Sequence, residues 1–356
     1  MDLLNAITKP VGFWSKIVFG LESSVKDYAL ALILITVIIK LIMVPFDFIN
    51  RYTSKKSSRI QNEMKPELEK INAKYASDPN LKNQKTMELY KSHNYSVMGT
   101  CFGMLIYLAF TLIVFWTLFA SLNDISQYKI AEQYMSVRQE YFAEYGIDVD
   151  NLPEDTTAMD QYNALTDAEK QGHLSAANEK AEEKYREMKT GFLWIDNIWL
   201  PDTTTSPIMS YNDFINKSKL SKSEITEEEY TLVMAEVKGG ERKQNGFFIL
   251  AILAAGSSYL SMAVNDWITK AKAKKQGIDT SLTVNRSGKI MTLVMPAIMM
   301  LFTIFNNAAF GLYIVAGALI TLITSPLVTM FVDMLEFESI KRQQNKYLAS
   351  YNRKRK

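Results

Sequence analysis

The sequence predicts an all-α membrane protein: five transmembrane helices, a cytoplasmic helical hairpin and an N-terminal interfacial amphipathic helix. Three observations predict it. First, five apolar runs, Ala29–Phe46, Met98–Ala120, Gly246–Met262, Ile290–Phe305 and Ala308–Val332, alternate with charged segments in a 356-residue chain whose mean hydropathy is near zero. A helix rising about 1.5 Å per residue needs roughly 20 such residues to cross a bilayer core. Second, the charge between the runs is sorted by sign. Lys and Arg outnumber Asp and Glu 10 to 5 in Arg51–Asn94, 6 to 1 in Trp267–Lys289 and 7 to 3 in Asp333–Lys356, whereas Ser121–Asn245 has 13 against 24. The positive-inside rule then makes the three basic segments cytoplasmic and the acidic one external, with the N-terminus outside and the C-terminus inside. Third, the polar segments carry apolar residues at helical spacing, which extends the all-α reading beyond the spans.

In chain order, Leu4, Ile7, Val11, Trp14, Val18 and Leu21 recur every three or four residues. Residues 1–27 therefore read as an amphipathic helix in the membrane interface, with packing on other protein as the alternative. Lys9 and Pro10 interrupt any apolar core that a cleavable signal peptide would need. The first span, 28–48, sets Lys40 inside LILITVIIKLIMVPF, with Thr36 one turn earlier on the same face. A cation in a span costs about 2.5–3.5 kcal/mol on insertion scales and marks a functional site by default. Snorkelling of the ammonium to the inner headgroups is the competing reading, and the stretch alone leaves both open.

Residues 49–97 form the cytoplasmic helical hairpin. Ile60, Met64, Leu68, Ile71 and Tyr75 make one apolar stripe, Ser77-Asp78-Pro79-Asn80 breaks it, and Leu81–Lys91 resumes a helix. Its basic faces suit anionic lipid, RNA, a partner protein or plain solvation. The second span, 98–120, carries the close-approach pair Gly99 and Gly103. Extracytoplasmic polar blocks fill 121–245 and hold no catalytic constellation. Asp148, Asp150, Glu154 and Asp155 lack the glycine and ligand spacing of an EF-hand and read as solvated acidity. Within these blocks GFLWIDNIWLPD is too short to span, and its tryptophans make 191–202 an interfacial stretch. The third span, 246–266, leads into the cytoplasmic basic loop 267–289. The fourth span, 290–306, contains Pro296; the fifth, 308–332, follows a tight outer turn at Asn306-Asn307. The cytoplasmic basic tail, 333–356, ends Arg353-Lys354-Arg355-Lys356, a run suited to phosphate backbones.

Composition narrows the function. Cys101 is the one cysteine, and His93 and His173 stand apart, so neither a disulfide nor a zinc site is expected, and no cofactor. The spans offer neither a serine with histidine nor paired aspartates, so no catalytic residues and no intramembrane protease are expected. A secondary transporter or channel using Lys40 to bind an anionic small molecule is the alternative; the spans show no inverted repeat in its favour. A membrane-anchored outer binding module built on 121–245 is a third class.

The order of these pieces, and several strings, resemble the YidC family of membrane protein insertases within the Oxa/Alb superfamily. The strings are LILITVIIKLIMVPF with its basic hairpin, the glycine-bearing start of the second span, GFLWIDNIWLPD, FFILAILAAGSSYLSM and KIMTLVMPAIMMLFTIFNNAAFGLYIV. The resemblance implies five helices around a hydrophilic groove, open to the cytoplasm and to lipid and closed outside. It implies a bacterial plasma membrane location and a chaperone-like role in inserting newly made membrane proteins. Lys40 stands where the family usually has arginine, Thr36 and Tyr313 match family groove positions, and Thr111 and Thr324 join the candidate groove set. Nascent membrane proteins and membrane lipid are the implied partners. The ribosome is implied through Arg353, Lys354, Arg355, Lys356 and the hairpin at 51–93, and the Sec translocon is a further candidate. Three departures accompany the likeness: lysine gives up arginine's five-donor fork, the proline ahead of the last span is absent, and the outer blocks exceed the compact family pattern.

Overall fold

The computed structural model describes residues 8–93, 95–222, 224–237, 243–275 and 286–354. These residues are helical and connecting chain, with one isolated bridge between Phe192 and Ile195 and no strand. The helices are α1 (Phe13–Val25), α2 (Tyr28–Lys74), α3 (Pro79–Ser92), α4 (Val97–Ala143), α5 (Ala158–Asn163) and α6 (Asp167–Met188). They continue with α7 (Tyr211–Ser218), α8 (Glu227–Val233), α9 (Ile249–Lys275), α10 (Arg286–Phe305) and α11 (Ala308–Lys354).

Three helices, α2, α4 and α11, have 47 residues each. At 1.5 Å per residue each is about 70 Å long, more than twice a hydrocarbon core, so each carries a span and a long polar extension. Among the described residues four helices are long and apolar enough to cross a membrane, within Tyr28–Lys74, Leu105–Ala143, Ile249–Ile268 and Ala308–Arg342. The fourth apolar run of the sequence, in α10, is a shorter apolar helix over Thr292–Phe305. Pro45, Pro66, Pro296 and Pro326 all sit inside helices.

The chain forms two compact units, Met1–Val37 with Thr117–Leu319, and Ile38–Trp116 with Ile320–Lys356. In the first, the C-terminal half of α4 buries Leu118, Leu122, Ile125, Ile130, Tyr134, Val137 and Tyr141 at helical spacing. Tyr134 meets Phe214 of α7 at 4.7 Å and Tyr230 of α8 at 5.3 Å between ring centroids, and α6 contributes buried Ala177, Ala181 and Tyr185. The sequence had marked this region only as polar blocks; the aromatic residues spaced along it form a core. On α1, Ser15 and Val18 are buried, and Trp14 Nε1 donates to Thr117 Oγ1 of α4 at 2.9 Å. Val11 and Phe13 stay 75% and 71% exposed, while Leu4 and Ile7 lie outside the described residues.

The helices α5 and α6 of the first unit start at side-chain caps. Thr157 and Asp160 form a capping box on α5, and Thr166 and Glu169 one on α6. Hydroxyl and backbone N–H donors from Thr157 hold the Asp160 carboxyl below its ordinary range, and those of Thr166 do the same for Glu169. A carboxyl depressed in the folded state contributes stability above its unfolded pKa and loses it as pH falls through the folded value. The thermal midpoint of the first unit is therefore expected to fall as pH drops below about 4, and Thr157→Ala with Thr166→Ala to flatten that dependence in a circular-dichroism melt series.

The second unit is helical throughout. Phe46 stacks on Phe110 at 4.8 Å, tying α2 to α4, and Phe48 meets Phe331 of α11 at 5.6 Å. Met64 and Leu89 are buried, and Tyr95, just past α3, accepts at its hydroxyl from Ser57 and Gln61 of α2.

Candidate functional site

Lys40 lies half-buried on α2 within the second unit, with no hydrogen bond or ion pair among the described residues. The carboxylate seven residues on is committed elsewhere: both oxygens of Asp47 accept from Arg51 Nε at 2.9 Å. Thr111 and Thr324 belong to the same unit and are half-buried; Thr111 donates its hydroxyl to Tyr107 O at 2.8 Å, within its own helix. Thr36 and Tyr313 belong to the first unit. Thr36 is fully buried and donates to Leu32 O at 2.6 Å, so its hydroxyl is spent on the backbone one turn back. Tyr313 is half-buried, its ring 6.0 Å from Phe310. Side-chain detail for Arg353 and Lys354 is absent from the described set, and Arg355 and Lys356 lie outside the described residues. Among the described residues no three of His, Cys, Asp and Glu gather as a metal site.

A ladder of charge that the sequence reading did not isolate runs along α2 and α11 in the second unit. Asp47, Arg51, Lys55 and Arg59 stand four apart on α2 and so share one face. Arg51 Nη1 donates to Thr329 Oγ1 at 2.9 Å and Nη2 to Ser325 Oγ at 2.8 Å. Lys55 pairs with Asp333 and, at 2.6 Å, with Glu336; Arg59 reaches Glu336 at 4.0 Å. Regular spacing on both helices was the available signal, but it becomes one only once the two helices are known to be neighbours. Arg51 satisfies three partners with one planar fork, which an ammonium cannot copy. Arg51→Lys is therefore expected to cost about 1–2 kcal/mol in a detergent melt, whereas a Lys55/Asp333 double-mutant cycle, at partly exposed positions, yields a coupling of only about 0.5–1 kcal/mol.

The first unit holds a second constellation, in Gly191–Asp202. Sequence composition made this an interfacial stretch; the structure buries Ile195 through Leu200, and Asp202, against protein. Trp199, 2% exposed, packs edge-on against Tyr28 at the start of α2, 4.5 Å between centroids, and its carbonyl accepts from Ser126 Oγ of α4 at 3.2 Å. The Asp202 carboxylate, on a residue 1% exposed, accepts from Phe247 N at 2.8 Å, Leu250 N at 2.6 Å and Trp194 Nε1 at 3.3 Å. It thus caps α9, whose first N–H groups have no partner in their own helix and whose dipole favours an anion there. Leu200 O and Ile198 O accept from Ala308 N at 2.8 Å and Ala309 N at 3.0 Å, the first residues of α11. Asn245 completes the clasp, donating to Asn197 O and Pro201 O and accepting from Asn197 N at 2.8 Å. A Cβ at Gly246 would fall 1.9 Å from Asp202 Oδ1, so only glycine fits. One loop therefore holds the starts of α2, α9 and α11 and the flank of α4.

Beside this clasp, Arg138 and Glu229 form an ion pair at 2.6 Å with side chains 2% and 3% exposed, and Tyr134 OH donates to the same carboxylate at 3.2 Å. Glu229 is the last of three consecutive glutamates, Glu227, Glu228 and Glu229. Thr226 caps α8 through the Glu229 N–H, which turns the Glu229 side chain toward α4.

Long apolar helices bearing polar extensions, with one uncompensated lysine in the first, define a multi-pass α-helical membrane protein. Comparison with known families narrows the class. The family described as 60Kd inner membrane protein, the YidC/Oxa/Alb group, matches residues 20–334, and the chain belongs to that family. Among curated relatives, the membrane protein insertase YidC of Fusobacterium nucleatum is 35% identical over 97 residues, 27% of this chain and 45% of the relative. That of Clostridium tetani is 37% identical over 100 residues, 28% of this chain and 43% of the relative. That of Anaeromyxobacter sp. strain Fw109-5 is 33% identical over 126 residues, 33% of this chain and 22% of the relative. Each match thus spans less than half the length of the relative.

Proposed function

We propose that this protein is a membrane protein insertase and chaperone that helps transmembrane segments of newly made proteins enter and fold in the bilayer. In this reading five helices, with α10 as the fourth span, surround a hydrophilic groove open to the cytoplasm, and residues 49–97 form its cytoplasmic hairpin. The N-terminus is outside and the C-terminus cytoplasmic. Lys40 carries the reading: it is a half-buried cation in an apolar run with no ion pair among the described residues, and Asp47 is held by Arg51. A cation so placed gives acidic residues of a substrate flank a transient partner and shortens their low-dielectric path. Thr111 and Thr324, of the same unit, line the groove with it. In this reading the groove admits substrate only from the cytoplasm and releases it sideways into lipid. Burial of the substrate's own apolar surface, at roughly 25 cal/mol per Å², drives that release. No bond is made or broken. The basic hairpin and tail meet the ribosome, and the Sec translocon is a candidate partner.

The test is protease protection of a single-span substrate with an acidic translocated flank, synthesised beside proteoliposomes carrying the parent or its Lys40→Ala variant. Protection by the parent and its loss in the variant are expected, with Lys40→Arg retaining activity. Equal protection by parent and Lys40→Ala removes Lys40 from the mechanism. No protection by folded parent, with uptake of an anionic solute, replaces the insertase reading by a transporter.

A further inference from the structure

The clasp leaves one part of its own segment outside. Phe192 and Ile195 exchange backbone hydrogen bonds of 3.0 and 2.9 Å, which makes Leu193 and Trp194 the tip of a tight turn. Leu193 is 74% exposed and has φ +53°, a left-handed conformation that glycine or asparagine would take at lower cost. A large apolar side chain is thus held outward on a backbone that disfavours it.

The height of this tip follows from its bonds. Trp194 Nε1 donates to Asp202, the cap of α9, and Phe247, whose N–H bonds the same carboxylate, is 52% exposed. At the opposite end of α9, Trp267 is 70% exposed. From Ile249 to Trp267 the helix rises about 27 Å, close to the thickness of a hydrocarbon core, with Phe247 just before its start and Trp267 at the far boundary. Between them Ile252, Leu253 and Leu260 are 61%, 42% and 48% exposed, an apolar side that a bilayer covers. The tip therefore stands level with the start of that side, both being tied to the Asp202 carboxylate.

We propose that Phe192–Leu193–Trp194 is an outer-leaflet anchor, with Leu193 seated at the boundary between headgroups and acyl chains. The anchor rests on α9 crossing the membrane and is independent of what the groove transports. It fixes the clasp at a set depth, so lipid holds the outer ends of the helices in register with the bilayer.

Nitroxide accessibility tests this. In full-length protein carrying Cys101→Ser, reconstituted in phosphatidylcholine and phosphatidylglycerol vesicles, a spin label on Leu193→Cys is compared with one on Asn212→Cys, on the exposed face of α7. The expected result at position 193 is loss of collisions with a water-soluble nickel chelate and gain of collisions with oxygen. Nickel collisions equal to those at 212 overturn the anchor in favour of water. Protection from both reagents overturns it in favour of a protein contact. A second measurement leaves Leu193 untouched: lipids brominated near the headgroup quench tryptophan emission, and Trp194→Phe is expected to remove part of that quenching. An unchanged quenched fraction counts against the proposal.

Discussion

Asp202→Ala is expected to lower stability by about 3 kcal/mol, read as a fall in the thermal midpoint in detergent and as faster hydrogen exchange at the Phe247 and Leu250 amides. Loss of a helix cap alone costs about 0.5–2 kcal/mol. Here the Leu250 N–H also becomes a buried donor without an acceptor, worth about 1–3 kcal/mol in desolvation, and the part-buried Phe247 N–H adds less because water reaches it. Asp202→Asn retains an acceptor oxygen and is expected to cost about half as much. Gly246→Ala attacks the same bond from the other side, because its methyl carbon would occupy the position of Asp202 Oδ1. If Asp202→Ala melts like the parent while exchange at 247 and 250 is unchanged, the carboxylate is not what holds the start of α9.

Breaking the Arg138–Glu229 pair is expected to cost more than removing it. Both side chains are almost fully enclosed, so Glu229→Leu or Arg138→Met alone strands a charge in protein, at about 3–5 kcal/mol. The double variant strands none and keeps the volume, and is expected to stay within roughly 1–2 kcal/mol of the parent. Tyr134 then loses an acceptor, which accounts for the residue of the cost. Additive single-variant losses, measured by chemical unfolding of the full chain, would rule out a coupled pair.

The spans were readable because a bilayer forces backbone bonds inside each segment and side chains into apolar contact, so Leu32–Phe46 could be little else than a helix. Where the apolar signal stops, the helix does not. Beyond Phe46 only the surrounding solvent changes, and α2 runs on to Lys74 with Pro45 and Pro66 inside it. Lys40 stood out as a lone cation among aliphatic neighbours; Arg51 did not, because its acceptors Ser325 and Thr329 are more than 270 residues away. GFLWIDNIWLPD shows a different limit. Tryptophan beside isoleucine and leucine suits a membrane boundary and a packed core equally, and only the partners, Tyr28, Ser126, Phe247 and Ala308, separate Leu193 from Trp199. Glu227, Glu228 and Glu229 are alike as a string, and only the partners Arg138 and Tyr134 on α4 separate the buried third from the exposed first two.

The position of the clasp in the chain also sets a schedule. Residues 191–202 are synthesised after α2 and α4 and before α9 and α11, so Trp199 finds Tyr28 and Ser126 already made. The Asp202 carboxylate is in place when the first amides of α9 emerge, and the carbonyls of Ile198 and Leu200 stay unmet until Ala308 and Ala309 arrive. The clasp is thus completed only when α11 arrives, and a chain halted before residue 308 leaves the carbonyls of Ile198 and Leu200 without these amides.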